Sequence, residues 1–271
     1  MNKINILMCG NDRVLPGMEL AMLSLIRHTD AAVRLYIGTM DLSDINERFR
    51  PVTEEMRGAL ELLLKSKNPE SEVILRDFGE SFRRDLIHSK NINTGYTPYT
   101  MIRLFANEIE DIGDKLLYLD TDVLLQGDVL EIYDLNIDDY HIAGVRDYIG
   151  KFFFSPRYLN AGVILFNMNT MRRDRIFEKC ILLCNNKKML LCDQHALNRY
   201  AKRRLILNRR FNEQKRTAPD TLIRHFSMTV KLFPYFHTQT VKPWQPELVH
   251  SMLGDHSFDD IFKEYDSMHR I

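Results

Sequence analysis

The sequence predicts an α/β fold with a mostly parallel central sheet and helices on both faces. Short apolar stretches of strand length alternate with stretches of helical spacing, and this alternation is typical of such sheets. The 271 residues are 45% hydrophobic and 27% charged, so the chain can bury a sizeable core without disulfide or metal staples. Neither an internal repeat nor a low-complexity linker interrupts the pattern, which indicates a single domain.

The predicted elements follow one another at short intervals. Ile4–Cys9 is an apolar strand, and Gly17–Arg27 has apolar residues three and four apart, as on one face of a helix. Lys115–Leu119 is an apolar strand that ends at an acidic residue. The other predicted strands are Val33–Met40, Glu72–Phe78, His141–Val145 and Gly162–Asn167, and the other predicted helices are Glu54–Lys65, Tyr99–Ile109, Thr170–Leu183 and Asp193–Ala201. Because ligands bind beyond the carboxyl ends of the strands in such sheets, functional residues are expected there.

Charge and the chain termini exclude several classes of protein. Lys and Arg together number 37, as do Asp and Glu, so the formal net charge is zero and a nucleic-acid partner is not expected. There is no run of 18 apolar residues, so no membrane-spanning helix is expected. The first residues lack the long apolar region of a signal peptide. These features predict a cytoplasmic protein.

Two further features each leave an alternative open. The four cysteines are too few for a disulfide framework and are predicted to be buried thiols, and the zinc alternative lacks a fourth ligand. The basic stretch 202–216 is either a solvated face or a contact with an anionic acceptor or membrane surface. The second interpretation would place the protein peripherally on the inner face of a membrane.

Two carboxylates follow the apolar strand Lys115–Leu119. Asp120 and Asp122 are two positions apart, so on extended backbone they would point to the same side. Carboxylates that share a side repel each other unless a cation lies between them, and hard oxygen ligands suit Mn²⁺ or Mg²⁺. Such an ion commonly also holds substrate phosphates. The alternative is an acidic turn between strand and loop.

The segment that carries these acids resembles the metal motif of a known enzyme family. Leu-Tyr-Leu-Asp-Thr-Asp-Val-Leu-Leu at 117–125 is similar to the motif of glycosyltransferase family 8, which includes bacterial lipopolysaccharide galactosyl- and glucosyltransferases and glycogenin. Further segments match in order between about residues 4 and 244. They are Asn11–Asp12, Arg103 in 99–104, Asp147 in 145–147, Tyr-Leu-Asn-Ala-Gly-Val at 158–163, and Asp-Gln-His-Ala-Leu-Asn at 193–198.

The resemblance implies a GT-A fold and retaining transfer of a hexose from a UDP-sugar to a glycan, lipid-linked or protein-linked acceptor, as in bacterial lipopolysaccharide or capsule assembly. It implies a catalytic domain over 1–245, with a nucleotide-binding half (1–125) and an acceptor half (126–245), and a helical tail over 246–271. It also implies a role for each matching residue. These are Mn²⁺ or Mg²⁺ ligation by Asp120, Asp122 and His225, nucleotide binding by Asn11, Asp12, Thr121 and Lys231, donor-sugar binding by Arg103, Asp147, Asn160, Ala161, Asp193 and Gln194, and catalysis by Gln194 and Asp193.

The chain departs from the family pattern at three places. Val14 stands where the family has a tyrosine that stacks on uracil, and His195 replaces the usual second acid. The family's His-to-Lys-Pro-Trp segment is divided between 225–231, which keeps the spacing, and 237–244, which keeps Lys-Pro-Trp. We favour His225 and Lys231, with His237 and Lys242 as secondary candidates.

Other functions remain possible at this level. A phosphohydrolase of the haloacid-dehalogenase type also has Asp-X-Asp after an apolar strand, but on its first strand. A nucleotidyltransferase would need a glycine-rich phosphate loop after the first strand, and residues 8–13 do not form one. A non-catalytic relative that binds a nucleotide sugar is the third alternative. Asp12 and Asp193 also have a simpler interpretation, as helix caps.

Overall fold

The computed structural model describes residues 3–92, 97–231 and 237–269, and it gives only the backbone for residues 230, 231 and 237. In this part of the chain seven strands form one sheet in the order β3-β2-β1-β4-β7-β6-β8. Neighbours pair in parallel except on both sides of β7, where they are antiparallel. The strands are β1 Ile4–Cys9, β2 Val33–Thr39, β3 Glu72–Asp77, β4 Lys115–Leu119, β5 Val123–Leu125, β6 Ile142–Arg146, β7 Leu159–Asn167, β8 Arg204–Leu207, β9 Ile223–His225, β10 Thr229–Lys231 and β11 His237–Gln239.

Helices cover both faces of this sheet. Within the described part of the chain, four segments are 3-10 helices, Asp12–Val14, Pro98–Glu108, Glu110–Ile112 and Arg209–Phe211, and Val249–Leu253 is a π-helical turn. The α-helices are α1 Leu15–His28, α2 Glu54–Lys67, α3 Gly79–Asp85, α4 Leu130–Tyr133, α5 Gly150–Phe153, α6 Met168–Arg173, α7 Ile176–Asn186, α8 Cys192–Tyr200, α9 Pro246–Leu248 and α10 Asp259–Met268.

Side chains of the central strands alternate between two apolar layers. In β4, Leu116 and Tyr118 pack among the residues of α7, α8 and the long 3-10 segment, whereas Leu117 and Leu119 pack among those of α1 and α2. Successive strand residues point to opposite faces, so a strand that is apolar throughout needs cover on both sides. The predicted α/β architecture with helices on both faces is therefore confirmed.

Several predicted boundaries differ from the structure. The predicted helix Tyr99–Ile109 is a 3-10 segment, Pro98–Glu108. The predicted helix Thr170–Leu183 is two helices, because Arg175 adopts a left-handed conformation with φ 52° between α6 and α7. Strand β7 begins at Leu159 and not at Gly162, so the Asn-Ala-Gly segment lies within the sheet.

The four cysteines are buried free thiols, as predicted. Within the described ranges, no helix combines the length and the apolar character that crossing a membrane requires.

The C-terminal segment packs on α1. Phe258, Ile261 and Phe262 lie in an apolar cluster with Leu20 and Leu23, and this contact places the residues before α9 beside the start of α1.

Candidate active site

Asp120, Asp122 and His225 converge just beyond the carboxyl end of β4. Strands β5 and β9 pair antiparallel with Val123 opposite His225, so the histidine lies next to the turn that carries both acids. His225 Nε2 is 3.2 Å from Asp122 Oδ1 and 3.6 Å from Asp120 Oδ2. One ligand atom from each residue lies within 4.8 Å of the other two, which is a donor set for a divalent cation.

A chain of amides determines which nitrogen of His225 faces the acids. The backbone N–H of Gly162 donates to Asn160 Oδ1, so this atom is the amide oxygen and it also accepts from Asn212 Nδ2 at 3.0 Å. Asn212 Oδ1 therefore accepts from His225 Nδ1 at 3.1 Å. This assignment puts the proton of a neutral imidazole on Nδ1 and turns the lone pair of Nε2 toward the two carboxylates. Three electron-rich atoms facing one point favour a cation there.

In each of the two carboxylates, one oxygen accepts hydrogen bonds from protein side chains and the other faces His225 Nε2. Asp120 Oδ1 accepts from Arg103 at 2.9 Å and from the Tyr118 hydroxyl at 2.7 Å, while its Oδ2 faces His225. Asp122 Oδ2 accepts from Lys242 Nζ at 2.5 Å, while its Oδ1 faces His225. Burial by itself raises the pKa of Asp122, but the charge of Lys242, with His225 contributing when its ring is protonated, outweighs burial and holds that pKa well below its usual range. Asp122 is therefore ionised.

Arg103 lies under the site with 3% of its surface exposed. Its Nε is 3.1 Å from Asp193 Oδ2, and its Nη1 donates to the carbonyl of Ala161 at 2.5 Å. Its guanidinium also lies 4.0 Å above the ring of Tyr118. Burial lowers the pKa of Arg103, but Asp120, Tyr118 and Asp193 raise it more, so the side chain stays charged. Arg103 therefore connects Asp120, just after β4, with Asp193 in α8.

Asp147, Asn160 and Gln194 form a second polar group beside the first. Asp147 Oδ1 accepts the backbone N–H groups of Ile149 and Gly150, and its Oδ2 accepts from Asn160 at 2.9 Å and Gln194 at 3.3 Å. Gln194 Oε1 accepts the N–H of Ala161 at 2.9 Å. Asn160 therefore connects this group to Asn212 and His225.

Asp193 is buried at the start of α8. Burial raises the pKa of Asp193, Arg103 lowers it, and Asp120 raises it further, so the net shift is upward. Leu191 occupies the N-cap position of α8, so Asp193 is not the N-cap but the second residue of the helix. Its ion pair with Arg103 accounts for its position.

The predicted nucleotide side lies at the end of β1. Asn11 Nδ2 donates to the carbonyl of Arg48, and Asp12 forms no side-chain cap on α1. Asp12 Oδ1 is buried without a hydrogen-bond partner among the described residues. The carbonyl of Thr121 packs against Gly17, where a Cβ would lie 2.2 Å from it. The side chains of the predicted residues Lys231 and His237 fall outside the described part of the chain.

Asn212 and Tyr118 are site residues that sequence reasoning missed. Asn212 lies in the basic stretch 202–216, where only the charged residues were interpreted. Its amide is uncharged and by itself does not indicate a role at a metal site. Tyr118 belongs to the apolar strand before the acids, and its alternation with Asp120 could have indicated its position. Both side chains orient a metal-site residue by a hydrogen bond.

Gly162 provides the space for the His225 ring, and its replacement tests the cation site. A Cβ at Gly162 would lie 2.2 Å from His225 Cε1, and Asn212 holds the ring in place. We expect Gly162→Ala to weaken Mn²⁺ binding about 10- to 100-fold by displacing the ligand. Gly58→Ala on α2 is the control, since a Cβ there has nothing within 4 Å. Calorimetric titration with Mn²⁺ measures both, and equal affinities would contradict the assignment of His225.

The chain matches the family model for glycosyl transferase family 8 over residues 5–247. A putative glycosyltransferase from Haemophilus influenzae is 26% identical over 224 residues, which are 77% of this chain and 63% of that protein. The probable glycosyl transferase Gly of Streptococcus gordonii is 29% identical over 119 residues, 43% of this chain and 17% of that protein. The chain thus spans less than two thirds of the length of these relatives.

Solved structures show the same fold. Galactosyltransferase LgtC in complex with donor and acceptor sugar analogs superposes with a TM-score of 0.68 at 20% identity, covering 97% of this chain and 96% of that one. Glycosyltransferase GlyE of Streptococcus pneumoniae gives 0.66 at 21% identity, covering 99% and 64%. The predicted GT-A fold is confirmed, and the phosphohydrolase alternative is not favoured. The family model matches most of the chain, so this protein belongs to glycosyl transferase family 8.

Proposed function

We propose that this protein is a retaining hexosyltransferase that uses a UDP-sugar and a divalent cation bound by Asp120, Asp122 and His225. The observation that carries the proposal is the continuous polar network from His225 through Asn212 and Asn160 to the group around Asp147. A cation donor set and a cluster of sugar-binding side chains thereby lie side by side at one edge of the sheet. This arrangement suits a donor with a diphosphate at one end and a hexose at the other.

The donor set fits Mn²⁺ or Mg²⁺. Two carboxylates supply hard oxygen ligands, and one imidazole favours Mn²⁺ of the two. When bound, the ion would stabilise the negative charge that develops on the UDP leaving group. Arg103 and Tyr118 hold one oxygen of Asp120, which keeps the other directed at the site.

Nucleotide binding is assigned to the end of β1 and the turn after β4. Asp12 Oδ1, which has no hydrogen-bond partner among the described residues, can accept an N–H from the base. Asn11 precedes it, and Thr121 Cγ2 would lie 3.7 Å from a Cβ at Gly10, so the turn after β4 lies beside the end of β1. Lys231 is proposed to contact phosphate, with His237 as a secondary candidate. Val14 cannot stack on uracil as a tyrosine would, so this chain holds the base mainly by hydrogen bonds.

The arrangement around Gln194 favours front-face displacement. A covalent route needs a nucleophile at the anomeric carbon, and both ends of the Gln194 amide are already hydrogen-bonded within the protein. Asp193 is paired with Arg103, and both oxygens of Asp147 accept hydrogen bonds. These groups can position the sugar and stabilise positive charge on its ring while the acceptor attacks from the leaving-group side.

The alternatives give this geometry different roles. A phosphohydrolase of the haloacid-dehalogenase type would need Asp120 as its nucleophile, yet Arg103 and Tyr118 both bind one of its oxygens. A non-catalytic relative would bind the donor in the same way and release no UDP.

The acceptor is proposed to be a glycan, free or linked to a lipid or protein, in a bacterial surface-glycan pathway. We assign residues 1–245 to the catalytic domain, with 1–125 contributing the nucleotide half and 126–245 the acceptor half, and 246–271 to a tail. A cytoplasmic location with peripheral membrane contact completes the proposal.

Donor turnover tests the function. Purified protein is incubated with a panel of UDP-sugars in Mn²⁺ or in EDTA, and released UDP is measured. We expect slow hydrolysis of one UDP-sugar that EDTA and Asp120→Asn both abolish. UDP that binds equally well without a divalent ion would contradict the proposed role of the metal, and donor binding without any turnover, with acceptor glycans added, would favour the non-catalytic relative.

Lys242 gives a prediction with two opposite effects. Its ammonium is 2.5 Å from Asp122 Oδ2, where it competes with a cation and can also neutralise a donor diphosphate. We expect Lys242→Met to bind Mn²⁺ alone more tightly and the UDP-sugar about 10- to 150-fold more weakly, since a hydrogen bond to a charged group contributes about 1.5–3 kcal/mol. Titrations of Mn²⁺ and of donor measure the two affinities. Lys263→Met on exposed α10 should change neither, and weaker Mn²⁺ binding by Lys242→Met would contradict the competition.

A further inference from the structure

Three consecutive phenylalanines project from the surface beside the candidate active site. Phe152 and Phe153 are 79% and 78% exposed, and Phe154, just after α5, is 47% exposed. Leu190, before α8, is 77% exposed. Large apolar side chains this exposed are unfavourable in water, and a group of them marks an interaction surface.

This aromatic segment is attached directly to the proposed sugar site. The N–H groups of Ile149 and Gly150, at the start of α5, donate to Asp147 Oδ1. The ring of Phe154 lies 4.8 Å from that of Tyr158 and 5.5 Å from that of His195, measured between centroids. His195 adjoins Gln194 in the sequence, so the phenylalanines lie beside the residues proposed to bind the donor sugar.

The segments around the phenylalanines carry a concentrated positive charge. Residues 148–157 and 187–204 contain eight Lys and Arg residues and one acid, Asp193, which is buried and paired with Arg103. The whole chain is neutral, so the asymmetry is local. Arg157 and Arg204 exchange hydrogen bonds to each other's carbonyls, which joins the two segments. The basic residues are Lys151, Arg157, Lys187, Lys188, Arg199, Lys202, Arg203 and Arg204.

We propose that this surface, the aromatic face (residues 151–154, 157, 187, 188 and 190), docks on an anionic membrane that presents a lipid-linked acceptor. Phenylalanines insert at the boundary between headgroups and acyl chains while surrounding lysines and arginines bind anionic headgroups. Interfaces with other proteins are depleted in lysine, whereas this surface contains Lys151, Lys187 and Lys188. The acceptor part of the proposal depends on the proposed glycosyl transfer, whereas the docking part does not.

The same charges refine the location of the membrane contact expected from the sequence. In the predicted stretch 202–216, Arg209 pairs with Glu213 and Asp220, and Arg210 pairs with Glu131. These ion pairs neutralise the later part of the stretch. Among its first residues, Arg203 pairs with Asp174, whereas Arg204 exchanges hydrogen bonds with Arg157 of the aromatic face. The aromatic face is therefore the surface that an anionic membrane would contact.

Sedimentation with vesicles tests the docking. Phosphatidylcholine vesicles with and without phosphatidylglycerol are mixed with wild type, with Phe152→Ser/Phe153→Ser, and with the control Leu62→Ser, whose side chain on α2 is 74% exposed. We expect wild type and control to sediment with the anionic vesicles only, and the double variant to bind at least about tenfold more weakly. High salt should weaken the wild-type binding because it screens the headgroup charges.

Two outcomes would overturn the proposal, and donor hydrolysis separates it from the proposed function. Wild type that stays in solution with anionic vesicles would exclude membrane docking and favour a protein partner for this face. Equal sedimentation of the double variant would place the contact elsewhere. The double variant should still hydrolyse the UDP-sugar in the absence of acceptor, which shows that it is folded. Vesicle binding by a wild type that turns over no donor, even with acceptor glycans added, would count against the transferase proposal and still support the docking.

Discussion

Replacing Asp122 by asparagine is expected to lower donor turnover at least about 10³-fold. The substitution keeps the shape of the side chain but removes the charge that faces His225 Nε2 on one side and Lys242 on the other. A bound divalent ion contributes several kcal/mol to stabilising the charge of a leaving diphosphate, and the variant forfeits most of this by losing an anionic ligand. The measurements are UDP release at saturating Mn²⁺ and calorimetric titration of Mn²⁺.

A matched variant separates this effect from a general change in charge. Asp138→Asn removes one acid at an exposed position between α4 and β6 and should leave both turnover and Mn²⁺ affinity unchanged. Turnover by Asp122→Asn within tenfold of wild type, with unchanged EDTA sensitivity, would mean that the ion is held without this carboxylate. The metal site would then have to be reassigned.

The parts of the site that follow the strand order were predictable from sequence. The acids after β4, Asp147 after β6 and Asn160 in β7 all lie at one edge because β4 and β6 run in the same direction with β7 antiparallel between them. Each is a polar residue at the end or start of an apolar run, which is the pattern that marks a strand end near a ligand. Only Asp120 and Asp122 were identified from this pattern, whereas Asp147 and Asn160 were implied by the resemblance to the family.

Contacts that depend on pairing register were harder to predict. His225 reaches the acids only because β9 pairs with β5, and neither three-residue strand has enough pattern to predict that partner. Which lysine of the divided Lys-Pro-Trp pattern reaches the acids was hard to predict for the same reason. Lys242 reaches Asp122 because Trp244 packs on Gly17, a tertiary contact over more than two hundred residues of sequence.

Arg103 has a structural role that sequence reasoning missed. The resemblance implied a contact with the donor, which stays a prediction, and in the structure its nitrogens contact the carbonyls of Thr100 and Ala161 and the carboxylates of Asp120 and Asp193. A long charged side chain inside an apolar helix pattern does not reveal which way it points. Its burial shows that it connects β4, β7 and α8, so its loss should affect stability as well as activity.

Arg103→Met is accordingly expected to destabilise the fold by about 3–5 kcal/mol, because it leaves buried Asp193 and partly buried Asp120 without their cation. Arg103→Lys should recover only part of this, since one ammonium cannot replace a planar group that contacts several acceptors. Arg173→Met, whose side chain is 61% exposed, should change stability by less than about 0.5 kcal/mol. Urea unfolding measures the free energy of each variant.

The pH dependence of this deficit distinguishes an unpaired carboxylate from a simple cavity. The pKa of Asp193 is already raised by burial, and removing Arg103 raises it further. A carboxyl with a raised pKa in the folded state costs stability once the pH exceeds its unfolded pKa, and the cost disappears as the pH falls. The deficit of Arg103→Met relative to wild type should therefore shrink on acidification from neutral pH toward the unfolded pKa of aspartate. A deficit that stays constant over this range would show that Arg103 stabilises the fold by packing alone and does not hold Asp193 ionised.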